Sequence, residues 1–204
     1  MLSTVIRSFG NWYQSQFGVP NFVKDIAYIK EDAPNQRVLS PDEYDKVCSS
    51  IQGQKLNIIQ FFGNTGLRRE EFRKLIWDNV SPDLKLLTVE GKGRKRRVIP
   101  LNATCKEILQ RYQRFDGEPI PFVLRYKGRN GLTQFCQKLA KRIGIPSFGT
   151  HALRHYFATQ LIKKGINIYL LSKILGHSSV KTTERIYLHL VPTDLLGTTD
   201  ILDE

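Results

Sequence analysis

The sequence predicts a mainly helical domain with one small antiparallel β-sheet, an α+β fold. Over most of the chain the apolar residues recur every three or four positions, as on one face of a helix. Residues 86–90 alternate instead with the period of two that a strand requires, and residues 98–101 follow them after a cationic turn. A chain of 204 residues can bury a substantial core. We therefore expect one main domain with a fragment attached.

The first 37 residues are predicted to form a helix and a linker. Apolar and aromatic side chains recur at helical spacing over residues 1–18, which indicates an amphipathic helix. A single helix cannot bury such a face, so it either docks on the main domain or closes a domain absent from this chain. Residues 19–37 lack a clear period and indicate a linker. The main domain is expected over residues 38–191, followed by a tail at 192–204.

A Ser-Pro-Asp-Glu segment predicts the first helix of the main domain. Ser40 is expected to be its N-cap, Pro41 its first residue, and Glu43 the residue that closes a capping box. The apolar helix that follows should be broken by Gly63 and Gly66. Further helices are predicted over residues 68–77, 103–115, 132–143, 168–175 and 179–190, with a short strand or loop at 122–124.

One predicted helix carries both a core face and a cationic face. With Thr150 as its N-cap, His151, Arg154 and His155 fall at positions i, i+3 and i+4 and share one side. Apolar residues spaced by four share a neighbouring side, and Gly165 is placed to end the helix. The pattern indicates a helix that packs on the core and presents positive charge to something anionic.

The composition points to a polyanionic partner. Thirty-one lysines and arginines against nineteen acidic residues give a formal net charge of +12 and a pI near 9.7. Nucleic acid is the first candidate, although charge alone does not single out DNA. The hydrophobic share of 41% is typical of a folded protein rather than a disordered one.

The cysteines and the lack of long apolar runs indicate the compartment. Cys48, Cys105 and Cys136 are odd in number and far apart, with no C-x-x-C spacing for zinc or a redox pair, so buried free thiols are predicted. Apolar runs stay shorter than about 18 residues, and the N-terminus lacks the pattern of a signal peptide. We expect a soluble, intracellular, cytoplasmic protein that does not use a membrane.

Four short motifs follow one another and lead to a tyrosine. They are TGLRREE at 65–71, GKG and RRVIPL within 91–101, HALRH at 151–155, and LGHS at 175–178, followed by Tyr187 in IYLH. In this combination the chain resembles the catalytic domain of the tyrosine recombinase family, the phage-type integrases and chromosome-dimer resolvases. The resemblance covers roughly residues 38–190. It implies the fold of that domain and a site-specific recombinase that cuts and rejoins DNA through a 3′-phosphotyrosyl intermediate.

These residue types suit the cleavage of a phosphodiester. Arg68 and Arg154 bring guanidinium groups, which bind phosphate through paired hydrogen bonds and stay charged at any working pH. Tyr187 is the predicted nucleophile; its phenol has an ordinary pKa of about 10 and must lose a proton, which His151 is placed to accept or relay. The leaving 5′-hydroxyl needs a general acid, and the resemblance assigns that role to Lys92.

The resemblance also implies supporting residues. His177 is similar to the family's donor to a phosphate oxygen, and Glu71 is expected to orient Arg68 or His151. His155 and His189 are expected to be structural. A set of basic residues is predicted to bind the DNA backbone without reading its sequence: Arg94, Lys95, Arg96, Arg97, Arg129, Lys138, Lys141 and Arg142.

The spacing before the tyrosine departs from the family pattern. Tyr187 follows His177 at a step of ten residues, one more than is usual in the family, so the family position falls on Ile186. One extra residue rotates a continuing helix by about 100°, so we expect a different local path or a tyrosine presented from a loop. Tyr187 stays the predicted nucleophile, because isoleucine cannot attack phosphorus and Tyr-x-His-Leu matches the family's downstream pattern.

The family resemblance also has implications for the cofactors and partners of the protein. The resemblance implies no metal and no other cofactor, double-stranded DNA as the partner, and a homotetramer on DNA that is a monomer without it. It also makes residues 1–18 the closing helix of an N-terminal DNA-binding domain, the core-binding domain. Two alternatives stay open: a type IB topoisomerase, which uses similar residues, and a DNA-binding module of recombinase ancestry that has lost its activity.

Overall fold

The computed structural model describes residues 2–21, 23–24, 37–91, 93, 95–124 and 130–187. Several residues with predicted roles lie outside these ranges, namely Lys92, Arg94, Arg129 and His189, together with most of the predicted linker and the tail at 192–204. The chain divides into two compact units, residues 1–35 and 36–204. Within the described ranges, each helix is too short or too polar to cross a membrane.

The first unit contains one long helix, α1 (Leu2–Phe17), and a short turn after it. Gly10 makes room for that turn, because a Cβ there would lie 2.6 Å from Oδ1 of Asn21 and 2.7 Å from Cγ2 of Val23. Val23 is buried as a result. Three aromatic side chains of the helix stay at least half exposed: Phe9, Trp12 and Phe17.

The second unit opens with the helix that the capping pattern predicts. Ser40 is the N-cap of α2 (Pro41–Ser49), and its hydroxyl accepts a hydrogen bond from the backbone N–H of Glu43. The Glu43 carboxylate accepts in return from the backbone N–H of Ser40. Arg37 adds an ion pair to Glu43 at 2.6 Å. The predicted capping box is confirmed.

Helix α3 (Gln54–Thr65) follows and ends at Gly66. The predicted break at Gly63 is wrong, because the ring of Tyr44 packs against this glycine where a side chain would stand. The next helix, α4 (Arg69–Arg73), is shorter than predicted and is followed by a single 3₁₀ turn.

Two antiparallel strands form the sheet in the part of the chain that the structure describes, β1 (Leu86–Glu90) and β2 (Arg96–Pro100). Leu87 lies opposite Ile99, and both side chains are fully buried. Because side chains alternate across a strand, Arg97 lies on the same face as Ile99, whereas its two neighbours in β2 face outward and are exposed.

Six further helices lie in the described part of the second unit: α5 (Ala103–Gln110), α6 (Pro121–Leu124), α7 (Gly131–Ile143), α8 (Thr150–Lys163), α9 (Ile168–Leu175) and α10 (Val180–Tyr187). Helix α5 ends before the predicted residue 115, and α6 lies where the sequence predicted a strand or loop. Helix α8 packs on α3, and α9 contacts α8, α10 and β2. The mainly helical unit with one small antiparallel sheet confirms the predicted fold class.

Helix α8 begins one residue earlier than predicted. Gly149 is its N-cap, and Thr150 is its first helical residue with a buried side chain. At the other end Gly165 has a φ of +79° just beyond the cap, as the sequence predicts. His151, Arg154 and the residues between them therefore occupy the first two turns of α8.

The three cysteines are free thiols, as predicted. Cys105 and Cys136 are buried and Cys48 is partly buried. Burial raises the pKa of Cys105 and of Cys136 to about 12, which keeps both thiols protonated. Within the described residues, His, Cys, Asp and Glu do not gather in groups of three that could hold a metal ion.

We predict that Ser40→Ala lowers the free energy of unfolding by about 1 kcal/mol, because the N–H of Glu43 loses its acceptor. Urea unfolding followed by circular dichroism measures this change. The matched control is Ser49→Ala at the other end of α2, where the hydroxyl bonds only to carbonyls one turn back, and its loss should be much smaller. Equal losses in the two variants would contradict the capping role.

Candidate active site

The C-terminal end of α9 collects three arginines. The carbonyl oxygens of residues 174–176 accept hydrogen bonds from Nε of Arg97 at 2.7 Å, Nη2 of Arg154 at 2.7 Å and Nη2 of Arg68 at 2.9 Å, in that order. The last carbonyls of a helix lack partners within the helix and carry the negative end of its dipole. This helix end therefore stabilises three positive charges brought from β2, α8 and the start of α4.

One buried carboxylate joins two of these arginines. Oε1 of Glu71 accepts from Nη1 of Arg68 at 2.9 Å and from Nη1 of Arg97 at 2.5 Å. Its Oε2 accepts from Nη2 of Arg97 and from the backbone N–H of Arg68, both at 2.7 Å. Burial alone would raise the pKa of Glu71, but hydrogen bonds from Arg97 and Arg68 bring it down to about 2. The predicted role of Glu71 toward Arg68 agrees with these contacts.

Arg154 is the most buried of the three arginines. Only 5% of it is exposed, and its Nη1 donates to the carbonyl of Gly66 at 2.7 Å in addition to the bond with α9. Burial, followed by the charges of Arg68 and Arg97, lowers the pKa of Arg154 to about 9, so its guanidinium remains charged at neutral pH. The arginine thus joins the end of α3 to the end of α9.

Glycine is required at both helix ends that hold Arg154. Gly66 has a φ of +60°, and a Cβ there would lie 2.4 Å from Cδ1 of Phe157. Gly176 has a φ of +66°, and a Cβ there would lie 2.6 Å from Cδ of Arg97. Both the left-handed backbone and the close packing exclude a larger side chain.

The contact of Arg97 with DNA stays a prediction, and the structure gives this side chain partners within the protein. Its side chain is only 8% exposed, and its guanidinium is occupied by Glu71 and by the end of α9. The neighbouring Lys95 and Arg96 are exposed instead, as predicted for DNA contacts. The alternation of β2 could have identified this difference, since Arg97 is two residues before the core residue Ile99.

A groove runs between the hairpin and α9 beside the arginine cluster. Arg68 lies at its edge with 35% of its side chain exposed, so part of its guanidinium can still donate to an incoming anion. His177 lines the same groove. Other lining residues include Lys95, Arg96, Arg97, Val98, Leu170 and Lys173.

His177 is oriented by a buried threonine. Nδ1 of His177 lies 2.7 Å from Oγ1 of Thr183, whose side chain is fully buried in α10. Burial, followed by the charges of Arg154, Arg68 and Arg97, lowers the pKa of His177 to about 4. The imidazole is therefore neutral at physiological pH. With Thr183 donating to Nδ1, the proton of the ring is on Nε2, where it can be donated to a phosphate oxygen.

Tyr187 is buried and bonded to a histidine. It is only 2% exposed, and its Oη lies 2.5 Å from Nδ1 of His155. Burial raises the pKa of Tyr187 to about 12, although Arg154 acts in the opposite direction. Helix α10 includes Tyr187, so of the two predicted alternatives, a different local path and presentation from a loop, the structure excludes the loop. His155, expected to be structural, is thus the histidine in contact with the tyrosine hydroxyl.

His151 is exposed and lines a different groove, between α7 and α8, together with Thr133, Gln137 and Phe148. Partial burial and the charges of Arg154, Arg69 and Arg68 lower the pKa of His151, so it too is neutral at physiological pH. The basic residues of α7 are also on the surface. Lys138 and Lys141 are exposed, and Nη2 of Arg142 donates to the carbonyl of Ser50 at 2.8 Å.

The arginine, histidine and tyrosine residues of this cluster lie within a stretch that matches a known family. Residues 37–193 match the phage integrase family. The chain belongs to this family. The resemblance inferred from the four motifs is confirmed.

Individual integrase-family proteins are similar over most of the chain. Tyrosine recombinase XerC of Thermodesulfovibrio yellowstonii is 26% identical over 210 residues, which cover 93% of this chain and 69% of that protein. The Tn1549 transposon integrase, solved in complex with transposon right end DNA, superposes with a TM-score of 0.72 at 21% identity, covering 99% of this chain and 78% of that one.

A catalytic domain solved alone has the same fold. The catalytic domain of bacteriophage HP1 integrase gives a TM-score of 0.65 at 22% identity and covers 81% of this chain and 94% of that one. The chain spans 46–69% of the length of the relatives it matches in sequence. The predicted tyrosine recombinase catalytic-domain fold is confirmed.

We predict that Gly176→Ala lowers the free energy of unfolding by about 3 kcal/mol, because the left-handed backbone and the contact with Arg97 both oppose a methyl group. Gly144→Ala is the matched control. That residue also follows a helix, with a φ of +68°, but a Cβ there would have no neighbour within 4 Å. Its loss should be about 1 kcal/mol. Chemical denaturation of both variants measures the difference, and equal losses would contradict the packing of Arg97 against Gly176.

We also predict a pH dependence from Glu71. Its pKa of about 2 lies below the ordinary value of 4.5, so the carboxylate stabilises the fold above pH 4.5 and this contribution disappears as the pH falls toward 2. The free energies of unfolding of the wild-type protein and Glu71→Gln should therefore converge with falling pH. Glu70→Gln, at an exposed carboxylate, should show a much smaller pH-dependent difference. A constant gap for Glu71→Gln would contradict this prediction.

Proposed function

We propose that this chain carries the catalytic centre of a site-specific recombinase, which cuts and rejoins double-stranded DNA through a phosphotyrosine bond to Tyr187. The observation that supports it most strongly is the joint positioning of Arg68, Arg154 and His177 around the end of α9. Family relatives are named tyrosine recombinases, and the Tn1549 integrase was solved with transposon DNA. We propose the same tyrosine recombinase activity for the present chain.

The arginines are suited to the phosphate. A phosphodiester that is attacked by a nucleophile gains negative charge on its non-bridging oxygens, and fixed cations stabilise that charge. Arg68 reaches the groove, whereas Arg154 is held beneath it by two backbone carbonyls. Neutral His177 adds an uncharged N–H donor. These groups are held by bonds within the protein, so they need little reorganisation when the phosphate arrives.

The tyrosine supplies the covalent step. Oη of Tyr187 would attack phosphorus, forming the 3′-phosphotyrosyl bond as the bond to the 5′ oxygen breaks. The phenol proton passes first to His155, whose Nδ1 is in contact with Oη, and His151 is one turn away on α8 as a relay. The 5′ oxygen takes its proton from Lys92, the general acid that the family resemblance assigns.

The surface charge is suited to the DNA backbone. Lys95 and Arg96 border the groove, and Lys138 and Lys141 are exposed on α7. By resemblance we add Arg94 and Arg129 to this set, together with a homotetramer as the state that exchanges strands on DNA. Neither these backbone contacts nor the tetramer assigns a preferred DNA sequence.

We predict a covalent adduct between the protein and a nicked duplex that carries candidate inverted repeats. With EDTA present, the adduct should appear as a shifted protein band on a denaturing gel. Tyr187→Phe should abolish the band, because it removes the attacking oxygen. Tyr156→Phe and Tyr169→Phe are the controls and should retain it, since one ring stacks on Tyr44 and the other is exposed on α9. A band that persists in Tyr187→Phe would contradict the assignment.

A DNA-binding module without activity is the second candidate. It is favoured by the burial of Tyr187 and by the ten-residue step that follows His177. If the wild-type protein binds the duplex but forms no adduct while an active family member does so in parallel, this second candidate replaces the first.

A further inference from the structure

Arg97 carries a largely buried positive charge at the wall of the groove, and its guanidinium is bound within the protein. It is 8% exposed at the side chain, whereas Arg68 is 35% exposed, yet both arginines bind the same carboxylate. Burying a charge costs free energy unless fixed partners bind it, so the burial of a second arginine beside Glu71 requires an explanation. Because Arg97 and Arg68 share Glu71, Arg97 can influence how strongly this carboxylate pairs with Arg68.

The contacts of Arg97 hold Glu71 in a shared position. Nη1 and Nη2 of Arg97 each bind one oxygen of the carboxylate, at 2.5 and 2.7 Å, while Nε is tied to the carbonyl of Ile174. Gly176 packs against the Cδ of the same side chain. Both ends of this guanidinium are therefore fixed, and Glu71 cannot pair with Arg68 alone without breaking its two hydrogen bonds to Arg97.

The sharing of Glu71 between two arginines determines how much positive charge Arg68 presents to the groove. One carboxylate lies between two guanidinium groups, so Arg68 is only partly compensated and retains positive charge on the side that faces the groove. Without Arg97, the carboxylate would be free to pair with Arg68 alone and to neutralise it. An anion would then meet an ion pair instead of a cation.

We propose that Arg97 is a positioning residue: by binding Glu71, it leaves the positive charge of Arg68 only partly compensated and available to a phosphate in the groove. The inference rests on the proposed function for its biological meaning, because the phosphate would be the one that Tyr187 attacks. It concerns the binding of an anion to Arg68, however, and so it can be tested without any reaction.

The test is a titration of the full chain with inorganic phosphate at 0.15 M salt, followed by NMR of the arginine Nε–H groups. The signal of Arg68 is identified by its loss in Arg68→Lys. Arg97→Gln should weaken phosphate binding at Arg68 by about tenfold, because Glu71 then neutralises that residue. The matched control is Arg114→Gln, which also removes an arginine bonded to a backbone carbonyl and to a carboxylate but lies on another part of the surface. It should bind phosphate as the wild-type protein does.

A double variant separates positioning from simple damage to the fold. Adding Glu71→Gln to Arg97→Gln removes the carboxylate that would neutralise Arg68, so phosphate binding should recover relative to Arg97→Gln alone. Structural damage predicts the opposite order, with the double variant weaker than the single one. That order, or wild-type binding by Arg97→Gln, would overturn the proposal.

Two further measurements separate the charge-sharing effect from a folding defect and from a failure of the proposed function. If Arg97→Gln does not fold, as judged by thermal unfolding, Arg97→Lys replaces it. That variant keeps a cation beside Glu71 and should bind phosphate within about threefold of wild type, whereas a tenfold loss would show that charge sharing is not the cause. Failure of the wild-type protein to form a DNA adduct would contradict the proposed function alone, since the phosphate titration does not depend on it.

Discussion

The end of one short helix holds the charges of this site together. Three guanidinium groups repel one another, and they stay close because consecutive carbonyls of α9 and the carboxylate of Glu71 accept their hydrogen bonds. The glycine that ends α9 is part of the same arrangement, since only a residue without Cβ leaves space for Arg97. The neutral state of His177 follows as well, because its burial and the arginines beside it lower its pKa.

Local signals in the sequence predicted much of the fold. Ser40 and Glu43 form the capping box at the spacing that identifies one, and the end of α9 at Gly176 follows from the apolar run before it. These features depend on residues a few positions apart, so a linear pattern contains them. The motifs around Arg68, Arg154 and His177 predicted the family, and the structure brings these three residues to the same helix end.

Other features depend on contacts between distant segments. Gly63 would break an isolated helix, but Tyr44 packs on it from α2 and the helix continues. Arg96 and Arg97 are chemically the same in a linear pattern, and only the face of β2 that each occupies separates a surface cation from a buried one. The contact between Tyr187 and His155 joins α10 to α8 and could not be predicted, because it depends on how far α10 continues as a helix.

The shared support of the arginines has a mechanical consequence. Two of the three acceptor carbonyls belong to a helix of eight residues and the third belongs to its C-cap, Gly176, so a shift or rotation of α9 moves the partners of all three guanidinium groups at once. Helix α9 also packs against α10, which carries Tyr187, and the same displacement is therefore transmitted to the tyrosine. The groups that would hold a phosphate and the group that would attack it therefore depend on the position of the same short helix.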